Sequence, residues 1–186
     1  MKIEFVIATC NSIDNLQHMM ACLCLQTSKD WTVTIVHDGE WADRLFWRNG
    51  DIRFLEIPGP NGDWGHTPIQ YGKSLATERL LCMTSDDNYY VPTFVEEMLK
   101  PFEDPKCAFA YCDMIHNGYD YKHFSTAIAQ SRIDIGCFVT LTELAKQIPL
   151  KSGYNDDFTF VKEYTDTFCR DYHFVKKIKK TLYVHN

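Results

Sequence analysis

Residues 80–92, "LLCMTSDDNYYVP", place two adjacent carboxylates directly after an apolar run and shortly before a proline. The apolar run predicts a buried strand, so Asp86 and Asp87 follow a strand end. Two like charges side by side repel each other unless water, a cation or hydrogen-bond donors screen them. A solvated turn and a metal site are the two explanations for the pair, and the strands around it bear on the choice.

Apolar runs and helix-sized connectors alternate through the first half of the chain. The predicted strands are 3–7, 31–36, 52–57 and 80–84. A three-to-four spacing of apolar residues after Asn11 predicts a helix, and helices are also predicted between the second and third strands and over 67–79. Such connectors argue for right-handed crossovers and a largely parallel sheet with helices on both faces. The sequence therefore predicts an α/β fold.

The second half of the chain is predicted to continue the same single domain, which spans residues 1–186. Helices are predicted over 93–102, 140–148 and from about Asp156, a strand over 107–114, and one or two short strands in the tail 173–186. Residues 116–133 are rich in tyrosine and irregular. Long loops of this kind tend to be functional or mobile.

The composition, 45% hydrophobic and 14% aromatic, is that of a globular protein. A net charge of −6 argues against nucleic acid as a partner, because its phosphates attract basic surfaces. The basic run "KKIKK" at 176–180 is a local exception, either a solvated face or a support near phosphates or a membrane. No stretch reaches the roughly 20 apolar residues of a transmembrane helix.

The N-terminus and the cysteines predict a compartment. The apolar run that begins at Ile3 is too short for a signal peptide. The eight cysteines contain no C-x-x-C pair, and most sit in apolar segments, which favours buried free thiols in a reducing environment. We therefore expect a soluble, cytoplasmic protein.

Polar residues follow three of the predicted strands, in the triplets 9–11, 37–39 and 85–87. The carboxyl ends of parallel strands share one edge of the sheet, where ligands gather. Neither G-x-G-x-x-G nor G-x-x-x-x-G-K-[ST] is present in the sequence. If a nucleotide binds, its phosphates need another partner, usually a divalent cation held by carboxylates.

The order of these segments resembles the inverting family-2 glycosyltransferases, which have the GT-A fold. The similar motifs are "VIATCNSIDNLQHMMACLCLQTSKDW", "TIVHDGEWAD", "TSDDNYYVP" and "GYNDDFTFV", and together they extend over essentially the whole chain. The resemblance implies a GT-A-like, Rossmann-like sheet. It also implies transfer of a sugar from a nucleotide donor, UDP-linked by its motifs, to a glycan or other hydroxyl acceptor with inversion.

The resemblance assigns the nucleotide site to the strand ends. Thr9 and Asn11 would border the nucleoside, and Ser85 and Asp86 would lie near the diphosphate. Asp38 would accept a hydrogen bond from uracil N3–H, which favours uridine because cytosine N3 carries no proton. Taken alone, the Asp38-Gly39 pair also suits a plain turn.

The family's metal motif is altered in this chain. Its first Asp is replaced by Thr84, so Asp86 corresponds to the Asp that touches the metal, and Asp87 lies behind it or supports the loop. The change puts in doubt any contact that the first Asp would have made. His185, in "LYVHN", resembles a further ligand, or it is an exposed tail residue. Nitrogen beside oxygen ligands favours Mn²⁺ over Mg²⁺.

The resemblance places the catalytic base at the later pair. Inversion requires a carboxylate to take the proton of the acceptor hydroxyl as it attacks the anomeric carbon. Asp157 corresponds to the family's base. The alternative is an acid that stabilises a helix N-terminus, worth about 0.3–1 kcal/mol when exposed, a role that suits Asp156.

Other side chains are weaker candidates for the donor pocket. His66 and Lys73 lie where the family lines it, although His66 could be a turn residue and Lys73 a solvated helix face. Trp64, Tyr89 and Tyr90 could stack on sugar rings or pack in the core.

Two other functions compete with sugar transfer. A nucleotidyltransferase would normally carry a glycine-rich, basic loop after the first strand, and "ATCNSIDN" has neither glycine nor Lys or Arg. A non-catalytic module that binds nucleotide sugars remains an alternative, because the chain is short for the family.

Overall fold

The computed structural model describes residues 1–39, 52–151, 153, 156–170 and 172–186. The strands among these residues are β1 (Ile3–Thr9), β2 (Trp31–Asp38), β3 (Ile52–Ile57), β4 (Leu80–Ser85), β5 (Tyr89–Tyr90), β6 (Cys107–His116), β7 (Lys122–Phe124), β8 (Phe138–Leu141) and β9 (Phe174–His185). The helices are α1 (Ile13–Cys24), α2 (His66–Leu75), α3 (Phe94–Leu99), α4 (Thr142–Ala145) and α5 (Asp156–Phe168). All of these strands belong to one sheet.

The first four strands form the predicted parallel half of the sheet. They lie in the order β3-β2-β1-β4, and all three pairings are parallel. Every residue of β1 is buried, so both faces of the sheet are covered at its centre, as expected for a parallel α/β sheet. The polar segment between β2 and β3 lies outside the described residues, and the helix predicted there stays a prediction.

Helices α1 and α2 pack on this half through apolar stripes. In α1 the buried residues Leu16, Met19, Met20 and Leu23 recur at helical spacing. In α2, a Cβ on Gly72 would lie 2.5 Å from Val6 Cγ1 and 2.9 Å from Val36 Cγ2. The absence of a side chain at this position therefore lets the helix lie directly on β1 and β2.

The second half of the sheet is mixed. Strand β8 pairs antiparallel with both β4 and β6, and β6 pairs parallel with β9. The helix predicted over 140–148 is shorter than expected, because residues 138–141 form β8 and only Thr142–Ala145 is α-helical. Pairing with two neighbouring strands overrides the helical periodicity of this segment.

The tail is one long strand rather than two short ones. β9 runs over 12 residues beside β6, with register shifts that accommodate its irregular alternation. Within the basic run, Lys177 Nζ lies 2.7 Å from Asp113 Oδ1, and Lys180 Nζ lies 2.9 Å from Glu97 Oε2. The run is thus part of a strand, and two of its lysines form ion pairs.

The cysteines and helix lengths bear on the predicted compartment. All eight cysteines are free thiols, and Cys82, Cys107, Cys112 and Cys137 are buried. Among the helices of the described residues, none has the length and apolar character needed to cross a membrane. The cytoplasmic location stays a prediction.

Candidate active site

A cavity of about 620 Å³ opens at the carboxyl ends of β1, β2 and β4. The sheet register brings these ends together, because Ala8 pairs with Ser85 and Thr9 pairs with His37. The predicted site residues that line the cavity are Thr9, Asp38, His66, Ser85, Asp86, Asp87, Asp157 and His185. The shared edge predicted from the strand ends is therefore present.

Asp86 lies at the floor of the cavity with 7% of its surface exposed. Its backbone N–H donates to Ala8 O at 3.1 Å, which continues the β1–β4 pairing by one residue. The Thr9 hydroxyl donates to Asp86 Oδ2 at 2.5 Å. Burial raises the pKa of Asp86 to about 6, although the Thr9 hydrogen bond lowers it and Asp87 raises it further. A solvated turn does not explain so buried a carboxylate.

Asp38 organises the loop that follows β3. Its Oδ2 accepts the backbone N–H of Asn61 at 3.0 Å, and its Oδ1 accepts the Asn61 side-chain amide at 2.5 Å. Gly59 passes so close that a Cβ there would lie 2.1 Å from Asp38 Oδ1. The loop that closes one side of the cavity is thus built on this carboxylate. The turn-forming residues of "PGPNG" indicate a loop, but they do not indicate that Asp38 holds it.

His37 holds the turn that contains Asn11. The backbone N–H of Asn11 donates to His37 Nε2 at 3.1 Å, so the ring proton is on Nδ1, which donates to Gly39 O at 2.8 Å. Asn11 has φ of 53°, in the left-handed region that Asn tolerates. Its side chain is outside the cavity lining, so its contribution is to the turn that follows Thr9.

Asp157 enters the cavity from the first turn of α5. Its Oδ2 accepts the backbone N–H of Ile135 at 3.1 Å. Burial raises the pKa of Asp157 well above the usual range, and the nearby charge of Asp134 raises it further. Asp157 is therefore a carboxylate with enhanced basicity, facing the same cavity as Asp86.

Asp134 is a cavity residue that the sequence reasoning missed. Its Oδ1 accepts hydrogen bonds from Tyr183 OH at 2.6 Å and from Gly136 N–H at 2.9 Å. Its Oδ2 lies 3.3 Å from His185 Nε2. The residue follows an irregular segment directly, and no local pattern marks it. Long-range pairing of β9 with β6 brings His185 to it.

Asp156, the neighbour of Asp157, is not itself among the residues that line the cavity. Its Oδ2 lies 3.7 Å from His66 Nδ1, and neither atom has a hydrogen-bond partner among the described residues. The pair joins the start of α2 to the start of α5. The two carboxylates of the "DD" motif therefore have different surroundings.

Lys73 is buried in the core rather than in the donor pocket. It is 0% exposed, its Nζ donates to Ile148 O, and it lies 5.2 Å from the centroid of the Phe160 ring. Burial lowers the pKa of Lys73 to about 8. Its contacts tie α2 to Ile148 and Phe160 and support no contact with a donor.

The depressed pKa of Lys73 predicts a pH dependence of stability that Lys73→Met removes. Between pH 8 and 10.5 the unfolded chain holds the proton that the folded chain has lost, so the wild type loses protons on folding and gains stability as the pH rises. Relative to Lys73→Met, the free energy of unfolding of the wild type should increase by about 3 kcal/mol over this range.

Chemical denaturation at pH 7, 9 and 10.5 measures this difference. The matched control is Lys179→Met, which removes an exposed lysine and should follow the wild type at every pH. Parallel pH curves for the wild type and Lys73→Met would contradict a lowered pKa of Lys73 in the folded core.

The candidate stacking aromatics are divided between the cavity rim and the core. Trp64 is 74% exposed and lines the cavity, with φ of 55° in a tight turn. Tyr90 packs in the core, with its ring centroid 4.3 Å from that of Phe94 and 5.2 Å from that of Phe5. Tyr90 is thus a packing residue and Trp64 is available to a ligand.

The donor set suits a hard divalent cation that takes only part of its shell from the protein. No three acidic, histidine or cysteine side chains among the described residues form a chelating group. Asp86 and His185 line the same cavity. Burial raises the pKa of Asp86, because its negative charge is no longer screened by water. A cation would provide that screening, and carboxylate oxygen with imidazole nitrogen fits Mn²⁺ or Mg²⁺.

Comparison with protein families matches residues 4–159 to the family described as glycosyl transferase family 2. Comparison with curated proteins gives no match. Among solved structures, S. aureus TarS 1-349 in complex with UDP-GlcNAc has a TM-score of 0.78 and 16% identity, covering 99% of this chain and 58% of that one.

A second similar structure is the mannosyltransferase PcManGT from Pyrobaculum calidifontis in complex with GDP-Man and Mn²⁺. It has a TM-score of 0.71 and 12% identity, covering 98% of this chain and 56% of that one. At such identities the likeness shows the fold, and it confirms the predicted GT-A-like α/β architecture. The chain spans less than two thirds of the length of these structures.

Proposed function

The chain belongs to glycosyl transferase family 2, and we propose that it transfers a sugar from a UDP-sugar to an acceptor hydroxyl with inversion, in a cation-dependent reaction. The observation that carries the proposal is the meeting of Asp38, Asp86 and Asp157 in one cavity at the carboxyl edge of the sheet. A volume of about 620 Å³ is within the usual range for a site of this kind. We take residues 1–186 as one catalytic domain.

The nucleotide half of the site would lie over β1, β2 and β4. Thr9 and Ser85 line the cavity beside Asp86, and Asp38 lines it at the end of β2. Asp38 is held by Asn61, so its position is set before a ligand binds. A fixed acceptor at this point would select a base with a proton at N3, which favours uridine.

Asp157 is the group that we assign to the acceptor proton. The hydrogen bond from Ile135 orients one of its oxygens, and the other is the oxygen that we assign to proton transfer. Its raised pKa makes it a better base than an exposed carboxylate, because basicity increases with pKa. Removing the proton as the hydroxyl attacks would give transfer with inversion.

Asp86 and His185 are the residues that would hold the cation. When bound, a divalent cation acts as a Lewis acid that offsets charge on the departing diphosphate. The PcManGT complex with GDP-Man and Mn²⁺ and the TarS complex with UDP-GlcNAc support a nucleotide-sugar donor and a cation. Asp87, beside Asp86, would shape the loop.

Nucleotide binding is the first test of this proposal. Thermal unfolding is measured with UDP, CDP, GDP and their sugars, with and without Mn²⁺, together with slow hydrolysis of each donor sugar. UDP with Mn²⁺ should raise the melting temperature most. A chain that no uridine nucleotide stabilises in either condition would refute the proposal.

Asp38→Asn tests whether Asp38 recognises the pyrimidine ring of the nucleotide. An amide can donate to cytosine N3 as well as accept from uracil N3–H, so the variant should lose preference for UDP over CDP by about tenfold. Isothermal titration with both nucleotides measures the ratio. Because an Asn oxygen can still accept from the Asn61 backbone, loop positioning should survive. An unchanged UDP-to-CDP ratio would count against base recognition by Asp38.

A further inference from the structure

Two exposed tyrosines stand beside the cavity on the segment that joins β6 to β7. Tyr119 is 49% exposed and Tyr121 is 57% exposed. We call these two residues the tyrosine rim. They belong to the irregular region whose tyrosine content was evident in the sequence, and the function proposed above does not use them.

A stack of rings connects Tyr119 to the cavity. The ring of His185, which lines the cavity, stacks on His116 with centroids 4.3 Å apart and planes at 12°. His116 meets Tyr119 edge to face at 5.2 Å, and Tyr119 stacks on Phe124 at 4.8 Å. The stack therefore links the rim to a residue of the cavity wall, and neither tyrosine is itself among the lining residues.

A second path connects Tyr121 to the loop that carries the carboxylate pair. Tyr121 OH donates to Asn186 Oδ1 at 2.6 Å. The backbone N–H of Asn186 donates to Asn88 Oδ1 at 3.2 Å. Both asparagines line the cavity. The ring of Tyr121 is thus held in place next to the site rather than left to rotate in solvent.

The backbone of the rim adopts an uncommon conformation. Asp120 and Tyr121 both have φ of 53°, and a bulky side chain rarely occupies this left-handed region. Such a conformation costs on the order of 1–3 kcal/mol and persists only where the surroundings hold it. Here the hydrogen bond to Asn186, a residue of the cavity lining, helps to hold it.

We infer that the tyrosine rim binds a sugar ring of a saccharide acceptor, so that a hydroxyl of that saccharide reaches Asp157; this inference rests on the proposed function. Aromatic rings offer large apolar area and, in tyrosine, a polar tip, which suits the mixed faces of a sugar. The neighbouring polar side chains of Asn117 and Asn186 supply hydrogen-bonding groups. The cavity itself is lined with carboxylates, which opposes a polyanionic acceptor such as nucleic acid.

Saturation-transfer NMR with the full chain, UDP and Mn²⁺ tests the inference. The probes are methyl glycosides and disaccharides of glucose, galactose, mannose and N-acetylglucosamine, with a single-stranded oligonucleotide as the other class of acceptor. Tyr119→Ala and Tyr121→Ala should each weaken binding of the best saccharide at least tenfold. Their affinity for UDP and their rate of donor hydrolysis should stay within twofold of wild type.

Tyr172→Ala is the matched control, because Tyr172 is a 63% exposed tyrosine whose ring lies 5.7 Å from Lys106 Nζ next to the start of β6, whereas the rim follows the end of β6. It should bind the saccharide as the wild type does. The inference is overturned if no saccharide of the panel binds, if only the oligonucleotide binds, or if the rim variants bind like the control. If the wild type still binds UDP in those cases, the proposed function is unaffected. If the wild type does not bind UDP, the inference and the proposed function are both refuted.

Discussion

Asp157→Asn is expected to reduce sugar transfer by about 10²–10⁴-fold, the range of a lost general base. The amide keeps the shape of the side chain and can still accept the hydrogen bond from Ile135, so the start of α5 should hold its position. The affinity for UDP should remain within about twofold of wild type. Transfer rates under saturating donor, with UDP affinity by calorimetry, measure the two effects separately.

Asp156→Asn provides the comparison within the same pair. Asp156 is outside the cavity lining, so this variant should lose much less activity than Asp157→Asn. The wild-type rate should also increase with pH through the neutral range, since the raised pKa of Asp157 means that ionisation is completed only at higher pH. A wild type that binds UDP but transfers no sugar would instead identify a non-catalytic binding module.

Asp86→Asn is expected to change stability and function in opposite directions. The variant should lose about 10²–10³-fold in transfer rate, because a charge aimed at the diphosphate end of the site is removed. Mn²⁺ should no longer increase its affinity for UDP. Without ligands the variant should be more stable than the wild type, by up to about 3 kcal/mol above pH 6.

The stability gain follows from the sign of the pKa shift. The folded pKa of Asp86 is about 6 and the model-compound value is 3.8, so the folded state binds the proton more tightly. Wild-type stability is lost as the pH rises from about 4 to 6, and the variant does not share this loss. Denaturation of both proteins at pH 4, 6 and 8 measures it.

Asp14→Asn is the matched control for Asp86→Asn, since Asp14 is an exposed acid in the first turn of α1. It should keep the Mn²⁺ response and the pH profile of the wild type. An Asp86→Asn variant that retains the effect of Mn²⁺ on UDP affinity would exclude Asp86 as the metal ligand.

Local sequence patterns predicted the parallel half of the sheet. The runs at 3–7, 31–36, 52–57 and 80–84 became parallel strands, and their polar ends share one edge. A strand that is buried on both faces has a continuous apolar run, and such a run can be recognised in the sequence without knowledge of the partner strands. The antiparallel extension was predicted less well, because β8 was missed and the helix predicted over 140–148 begins in residues that belong to that strand.

Asp86 and Asp87 show which properties of the candidate site come from the sequence and which come from the tertiary structure. Residue type and position at a strand end drew attention to Asp38 and Asp86, and the resemblance to family-2 glycosyltransferases suggested their roles and that of Asp157. Their surroundings depend on contacts between segments far apart in the chain, such as Thr9 with Asp86 and Asp134 with His185.

The tertiary structure also gives two residues a role that the sequence did not indicate. Lys73 looked like a solvated or donor-facing lysine, yet it lies on the buried side of α2 with no exposed surface. Asp134 belongs to no motif, yet it contacts His185, and its charge raises the pKa of Asp157. Burial and charge are properties of the assembled sheet, so pKa values and side-chain partners are decided by tertiary packing. The first four strands and the identity of the chemical groups at their ends can be predicted from the sequence alone.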